Sequence, residues 1–136
     1  MEQIAEVALA GHEVTLAPAA LPRIRAARAL GDALLAGGGT AYGINTGFGK
    51  LSDMRIEPEQ VQALQRNLVR SHACGVGAPL PGHAVRAMLL LRANVLSKGF
   101  SGVRVELVER LIAMLNRRIH PVIPSRGSVG ASGDLA

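Results

Sequence analysis

Gly82-His-Ala-Val-Arg-Ala-Met-Leu-Leu-Leu-Arg-Ala-Asn-Val-Leu-Ser97 decides the fold. Val85, Met88, Leu89, Leu90, Leu91, Val95 and Leu96 make this stretch apolar nearly all round, as a helix surrounded by other helices requires. Its apolar part, Ala84 to Leu96, is interrupted by Arg86 and Arg92 and falls short of the roughly 20 residues a membrane-spanning helix needs, so no membrane span is expected. Downstream, Arg104 to Ile119 carries Val105, Val108, Ile112, Leu115 and Ile119 on one stripe, with Glu106, Glu109, Arg110 and Arg117 elsewhere, which predicts a long packing helix. Upstream, Pro58 opens a helix in which Val61, Leu64 and Leu68 recur at spacings of three and four, running out at Gly75-Val-Gly77. Further back, Pro18-Ala-Ala-Leu-Pro22 and Arg23 to Leu35 read as a helix with its prolines in the first turn, stopped by Gly37-Gly38-Gly39. Thr40 to Glu57 lacks a helical period and is rich in turn residues, so it reads as an ordered loop with at most a short strand at Thr40 to Ile44. The class is mainly α, with a bundle-like architecture.

The chain has 136 residues, 49% apolar and 18% charged, which suits one packed domain and excludes a disordered, self-repelling chain. Fifteen Lys and Arg against ten Asp and Glu give +5, and the pI of about 10.7 raises nucleic acid as a partner. The charge is spread out, however: only Arg117 and Arg118 adjoin, and one Tyr, two Phe and no Trp leave little for bases to stack on. No nucleic-acid partner is expected, and the arginines read as solvated faces or partner contacts. Met1-Glu2 opens without the basic, apolar and small-residue order of a secretory signal, so the cytoplasm is the expected location. The single Cys74 excludes an internal disulfide, and with His72, His83 and His120 it lacks metal-ligand spacing, so no metal is expected.

Gly43-Ile-Asn-Thr-Gly47-Phe-Gly49-Lys50 suggests a phosphate loop, but the glycine spacing fails and Leu51 stands where that loop needs Ser or Thr. His72, near a helix end, reads on its own as a helix-dipole partner or a packed polar residue. Ala131-Ser132-Gly133 reads either as a turn or as a tripeptide able to cyclise. In the second case the unhindered Gly133 nitrogen attacks the Ala131 carbonyl carbon and water leaves; the Ser132 hydroxyl then departs as a second water, leaving an imidazolone with an exocyclic methylidene. Asp134 is a good helix cap with only two residues after it, so the chain reads as part of a longer one.

Taken together, Tyr42-Gly-Ile-Asn-Thr-Gly-Phe-Gly49, Gln65-Arg-Asn-Leu-Val-Arg-Ser-His72 with Gly75-Val-Gly77, and Gly127-Ser-Val-Gly-Ala-Ser-Gly-Asp-Leu-Ala136 closely resemble the aromatic amino-acid ammonia-lyases. The resemblance runs from Val14 onward and implies that residues 1–136 are the N-terminal portion of a single larger catalytic chain, with the family's helical-bundle fold and its short strands and glycine-rich loops. It implies that Ala131, Ser132 and Gly133 form 4-methylideneimidazol-5-one autocatalytically, with no external cofactor, and that Tyr42 takes the substrate's β-proton. A free phenol ionises near pH 10, so such a base needs about 4 kcal/mol of differential stabilisation of the phenolate. The pair Ser71-His72 resembles members acting on histidine, where others carry Phe-Leu or His-Leu, and implies that His72 contacts an L-histidine substrate on its way to trans-urocanate and ammonia, the first step of histidine degradation. The resemblance also implies a homotetramer for the full-length protein. The alternative within the family is a tyrosine or phenylalanine ammonia-lyase or aminomutase; outside it, a basic helical binding module that never cyclises. The motifs leave the roles of Asn45 and Lys50 open. Because the resemblance covers only part of a family chain, the isolated 136 residues are expected to fold poorly, to lack activity, and to show no loss of two waters by intact mass. Finding that loss in the isolated chain would refute the expectation.

Overall fold

The computed structural model describes residues 2–38, 40–43, 45–47 and 49–127. Helix α1, Glu2–Ala5, continues as a π-helical turn over Glu6–Ala10, and Gly11 at φ +77° ends it. A 3₁₀ turn at Pro18–Ala20 leads into α2, Leu21–Ala36, whose Pro22 lies in the first turn where no intrahelical N–H bond is lost. Helix α3 is Pro58–His72, α4 is Gly82–Ser97 and α5 is Val105–Asn116. Strands β1, Val76–Pro79, and β2, Pro124–Arg126, pair antiparallel. The mainly helical reading therefore holds, and α2, α3 and α4 lie where the apolar spacing places them.

Three features depart from the sequence reading. Helix α5 stops at Asn116 because Arg118 takes φ 55°, which turns Ile119 out of the stripe and leaves it exposed. The sequence allows at most a short strand at Thr40 to Ile44; the described residues 40–43 hold a turn at Tyr42 and Gly43, and the pairing in this loop is instead a single bridge between Thr46 and Arg55. The third departure is Arg86, which is not on a solvated face. It is 6% exposed, and its Nε and Nη2 donate to the Val7 carbonyl at 3.0 and 2.7 Å while Nη1 donates to the Leu115 carbonyl at 2.9 Å.

Helix α4 has the core on one side. Ala93 and Leu96 pack with Ala20, Ile24 and Val108, while Val85 and Leu89 pack with Val7 and Leu115, and half-buried Leu111 touches both groups. Asn116 extends this packing by a two-way bond: its Oδ1 accepts from Val14 N–H at 3.0 Å and its Nδ2 donates to the Val14 carbonyl at 2.9 Å. The opposite face of α4 is uncovered, with Met88, Leu91 and Val95 forming an exposed stripe. Total accessible surface is 9542 Å², against about 6,800 Å² for a typical folded monomer of this mass. Helix α4 thus has neighbours on its core face alone rather than all round.

Arg86→Met leaves the Val7 and Leu115 carbonyls without this donor, and we expect it to cost about 2 to 4 kcal/mol. The checks are a lower urea midpoint and faster amide exchange across residues 6–11.

Candidate active site

Tyr42 sits between α2 and α3 at a turn closed by Asn45 N–H donating to the Ala41 carbonyl at 3.2 Å. The main chain returns beside itself, with Gly47 N–H donating to Met54 O at 3.0 Å and Ile56 N–H to Asn45 O at 2.8 Å. Arg55 Nη1 donates to Gly38 O at 2.8 Å and ties the loop to the end of α2. Asn45 and Thr46 fill the inside of this loop, and the Tyr42 side chain is 65% exposed. It borders an open groove of about 760 Å³ that is also lined by Leu30, Leu34, Arg23, Lys98 and Phe100, so its surroundings combine apolar walls with two cations.

His72 is the last residue of α3 and is half-buried. Its Nδ1 lies 2.8 Å from Ser71 Oγ, and that hydroxyl donates to the Leu68 carbonyl at 3.0 Å. Serine has one proton to give, so with that proton on Leu68 the ring supplies the proton on Nδ1, and Nε2 carries an acceptor lone pair. The helix-end geometry therefore selects a tautomer.

The sheet joins this helix end to the segment that precedes the tripeptide. Strand β1 begins four residues after His72 and β2 ends five residues before Ala131. Val76 pairs with Arg126 and Pro79 with Pro124, with a register shift between, and Leu80 N–H extends the contact to Ile123 O at 2.8 Å. Gly77 is required here: its φ is +90°, and a Cβ on it would meet Ser125 Oγ at 2.9 Å. Ala131, Ser132 and Gly133 themselves lie outside the described residues. His72 does not line the groove beside Tyr42. Among the described residues no cluster of three or more His, Cys, Asp or Glu could hold a metal. Sequence reading missed Ser71 as the ring's partner and Asn45 and Thr46 as the inside of the Tyr42 loop. For Asn45 and Thr46 the available signal was the turn-forming tendency of Asn and Thr next to glycines.

A family model described as aromatic amino acid lyase matches residues 1–136. The chain is similar to the histidine ammonia-lyase of Myxococcus xanthus strain DK1622, 57% identical over 136 residues, which are 100% of this chain and 27% of the relative. Its fold is similar to that of histidine ammonia-lyase from Trypanosoma cruzi, with a TM-score of 0.81 and 42% identity over 93% of this chain and 24% of that one. It is also similar to ergothionase, an ergothioneine-degrading enzyme from Treponema denticola, with a TM-score of 0.89 and 35% identity over 94% of this chain and 26% of that one. The chain spans about a quarter of the length of each.

Gly77→Ala combines a left-handed backbone with a steric conflict, and we expect it to cost about 1 to 3 kcal/mol. Adding Ser125→Ala should restore the steric part and leave the backbone part. Amide exchange at Leu80 in the single and double variants reads the two contributions.

Proposed function

The chain belongs to the aromatic amino acid lyase family, and from that premise we propose that a protein carrying it is a histidine ammonia-lyase, converting L-histidine to trans-urocanate and ammonia. The observation that carries the choice of substrate is the Ser71-His72 pair. With Nδ1 held by Ser71, His72 offers Nε2 as an acceptor for an imidazole N–H of the substrate. A phenyl ring offers no such donor and would leave a polar ring atom unpartnered at a cost of about 1 to 3 kcal/mol. The 57% identity to a histidine ammonia-lyase supports the same substrate. A tyrosine or phenylalanine substrate is the competing possibility within the family; family membership argues against a purely binding module.

Elimination of ammonia from an α-amino acid removes a β-proton that no adjacent carbonyl acidifies, while the ammonium is a poor leaving group. Ala131-Ser132-Gly133 has the chemistry to form 4-methylideneimidazol-5-one: a small first residue, a departing hydroxyl and an unhindered nitrogen, with loss of two waters. When formed, that ring supplies the electrophile that ordinary side chains lack. Tyr42 acts as the base, its phenolate oxygen receiving the β-proton from above a loop whose main chain is closed at the tyrosine. His72 holds the substrate ring by its Nε2, which fixes where the β-carbon lies relative to that oxygen. The working protein is a homotetramer in the cytoplasm.

Two measurements on a full-length protein carrying this chain test the reading. L-Histidine should be deaminated with a higher kcat/KM than L-tyrosine, and one about fivefold to a hundredfold above L-phenylalanine, whose ring leaves His72 without a polar partner. A preference for either of the other two would overturn the assignment of His72. Tyr42→Phe should lower turnover by orders of magnitude while intact mass still shows the loss of two waters; near-normal turnover would remove Tyr42 from the role of base.

A further inference from the structure

The main chain around Tyr42 is held by two side chains nearly out of solvent. Ala41 N–H donates to Asn45 Oδ1 at 2.8 Å and Gly43 N–H donates to Thr46 Oγ1 at 3.3 Å. Asn45 is 5% exposed and Thr46 1%, whereas Tyr42 between their two bonds is 65% exposed. Both anchors are fixed in turn to the returning limb of the loop, Asn45 through its carbonyl to Ile56 N–H at 2.8 Å and Thr46 through its bridge to Arg55. Gly43 supplies the φ of +78° that lets its N–H turn inward toward the threonine hydroxyl. Two polar side chains are therefore spent inside a glycine-rich loop on fixing the main chain immediately before and after one exposed phenol.

We propose that Asn45 and Thr46 are positioning residues for Tyr42, holding its backbone so that the phenol oxygen meets the substrate's β-proton. This rests on the reading of Tyr42 as the base. A phenol oxygen lies on its χ2 axis, so once the backbone at Tyr42 is held it is restricted to the few positions that the χ1 rotamers allow. Proton transfer needs a heavy-atom approach of about 2.6 to 3.2 Å, and a displacement of about 1 Å costs on the order of a hundredfold in rate. Losing either acceptor removes one bond of the loop, while the main-chain bonds from Gly47 N–H to Met54 O and from Ile56 N–H to Asn45 O keep it closed, so the loop stays formed and loses its geometry at Tyr42.

The test is a double-mutant cycle on a full-length protein carrying this chain, reading kcat, KM and the two-water mass loss together. Thr46→Val removes the hydroxyl at nearly constant volume and should lower kcat by about tenfold to a hundredfold with KM changed less than about threefold and the mass loss intact. Thr46→Ser, which keeps the hydroxyl, should return kcat to within about threefold of the parent. In a Tyr42→Phe background Thr46→Val should produce no further loss, because the group it positions is already gone. An unchanged kcat in Thr46→Val beside a deeply impaired Tyr42→Phe overturns the positioning role and leaves Tyr42 as base. Equal losses from Thr46→Val in both backgrounds also overturn it, since the effect then bypasses Tyr42. A Tyr42→Phe enzyme of near-normal rate overturns both readings. Asn45→Ala, which deletes the acceptor on the other side of Tyr42, is judged by the same cycle and decides the matter if Thr46→Val does not fold.

Discussion

The helical packing turns on a buried cation that has no carboxylate partner among the described residues. Among the described residues the carboxylate ion pair is Arg28 with Asp32, on the surface of α2, and none reaches Arg86. A guanidinium keeps its charge at any ordinary pH, so burying it requires compensation from elsewhere. Here the compensation comes from peptide carbonyls late in two helical segments, Val7 in the turn that follows α1 and Leu115 in the last turn of α5. Helix C-terminal ends carry about half a negative charge each, so one arginine neutralises two ends at once, adding at Leu115 to the Arg118 N–H that already donates to that carbonyl at 3.2 Å. Arg86 Nη1 also lies 3.4 Å from His120 Nε2, which brings the chain leaving α5 into the same junction. Through that junction α4 sets the position of the first helical segment, of α5 and of the stretch that becomes β2.

The regions that carry the proposed chemistry are held by a different means. The Tyr42 loop and the β1–β2 pair contain little apolar burial and are organised by backbone bonds, inward-facing polar side chains and left-handed glycines. Among the described residues every buried side-chain nitrogen or oxygen has a hydrogen-bond partner. Loops built this way fix the direction of one or two side chains on a rigid helical scaffold without needing a core of their own. His72 takes its ring orientation from the residue beside it at a helix end, and Tyr42 lies at the apex of a turn, so both are placed by local bonds.

Legibility in the sequence follows the range of the forces involved. Helices α2, α3 and α4 are strongly periodic or proline-led, and their signal is contained within one or two turns of chain. The β1–β2 pair was invisible for the opposite reason. Its strands, Val-Gly-Ala-Pro and Pro-Ser-Arg, are short, show no alternation, and pair across the whole of the intervening α4 and α5. Arg86 looked like an interruption of an apolar run because the carbonyls that hold it belong to residues 79 and 29 positions away. The motif at residues 42 to 49 marked this stretch as an ordered loop, yet the inward bonds of Asn45 and Thr46 depend on its three-dimensional closure. The role of the tripeptide is an expectation from chemistry and resemblance, and Ala131, Ser132 and Gly133 lie outside the described residues.

The uncovered side of α4 bears on how this segment behaves among other macromolecules. Met88, Leu91 and Val95 present a row of apolar groups to water. Such a row makes the segment adhesive, so that chaperone shelter or slow self-association competes with its staying dispersed.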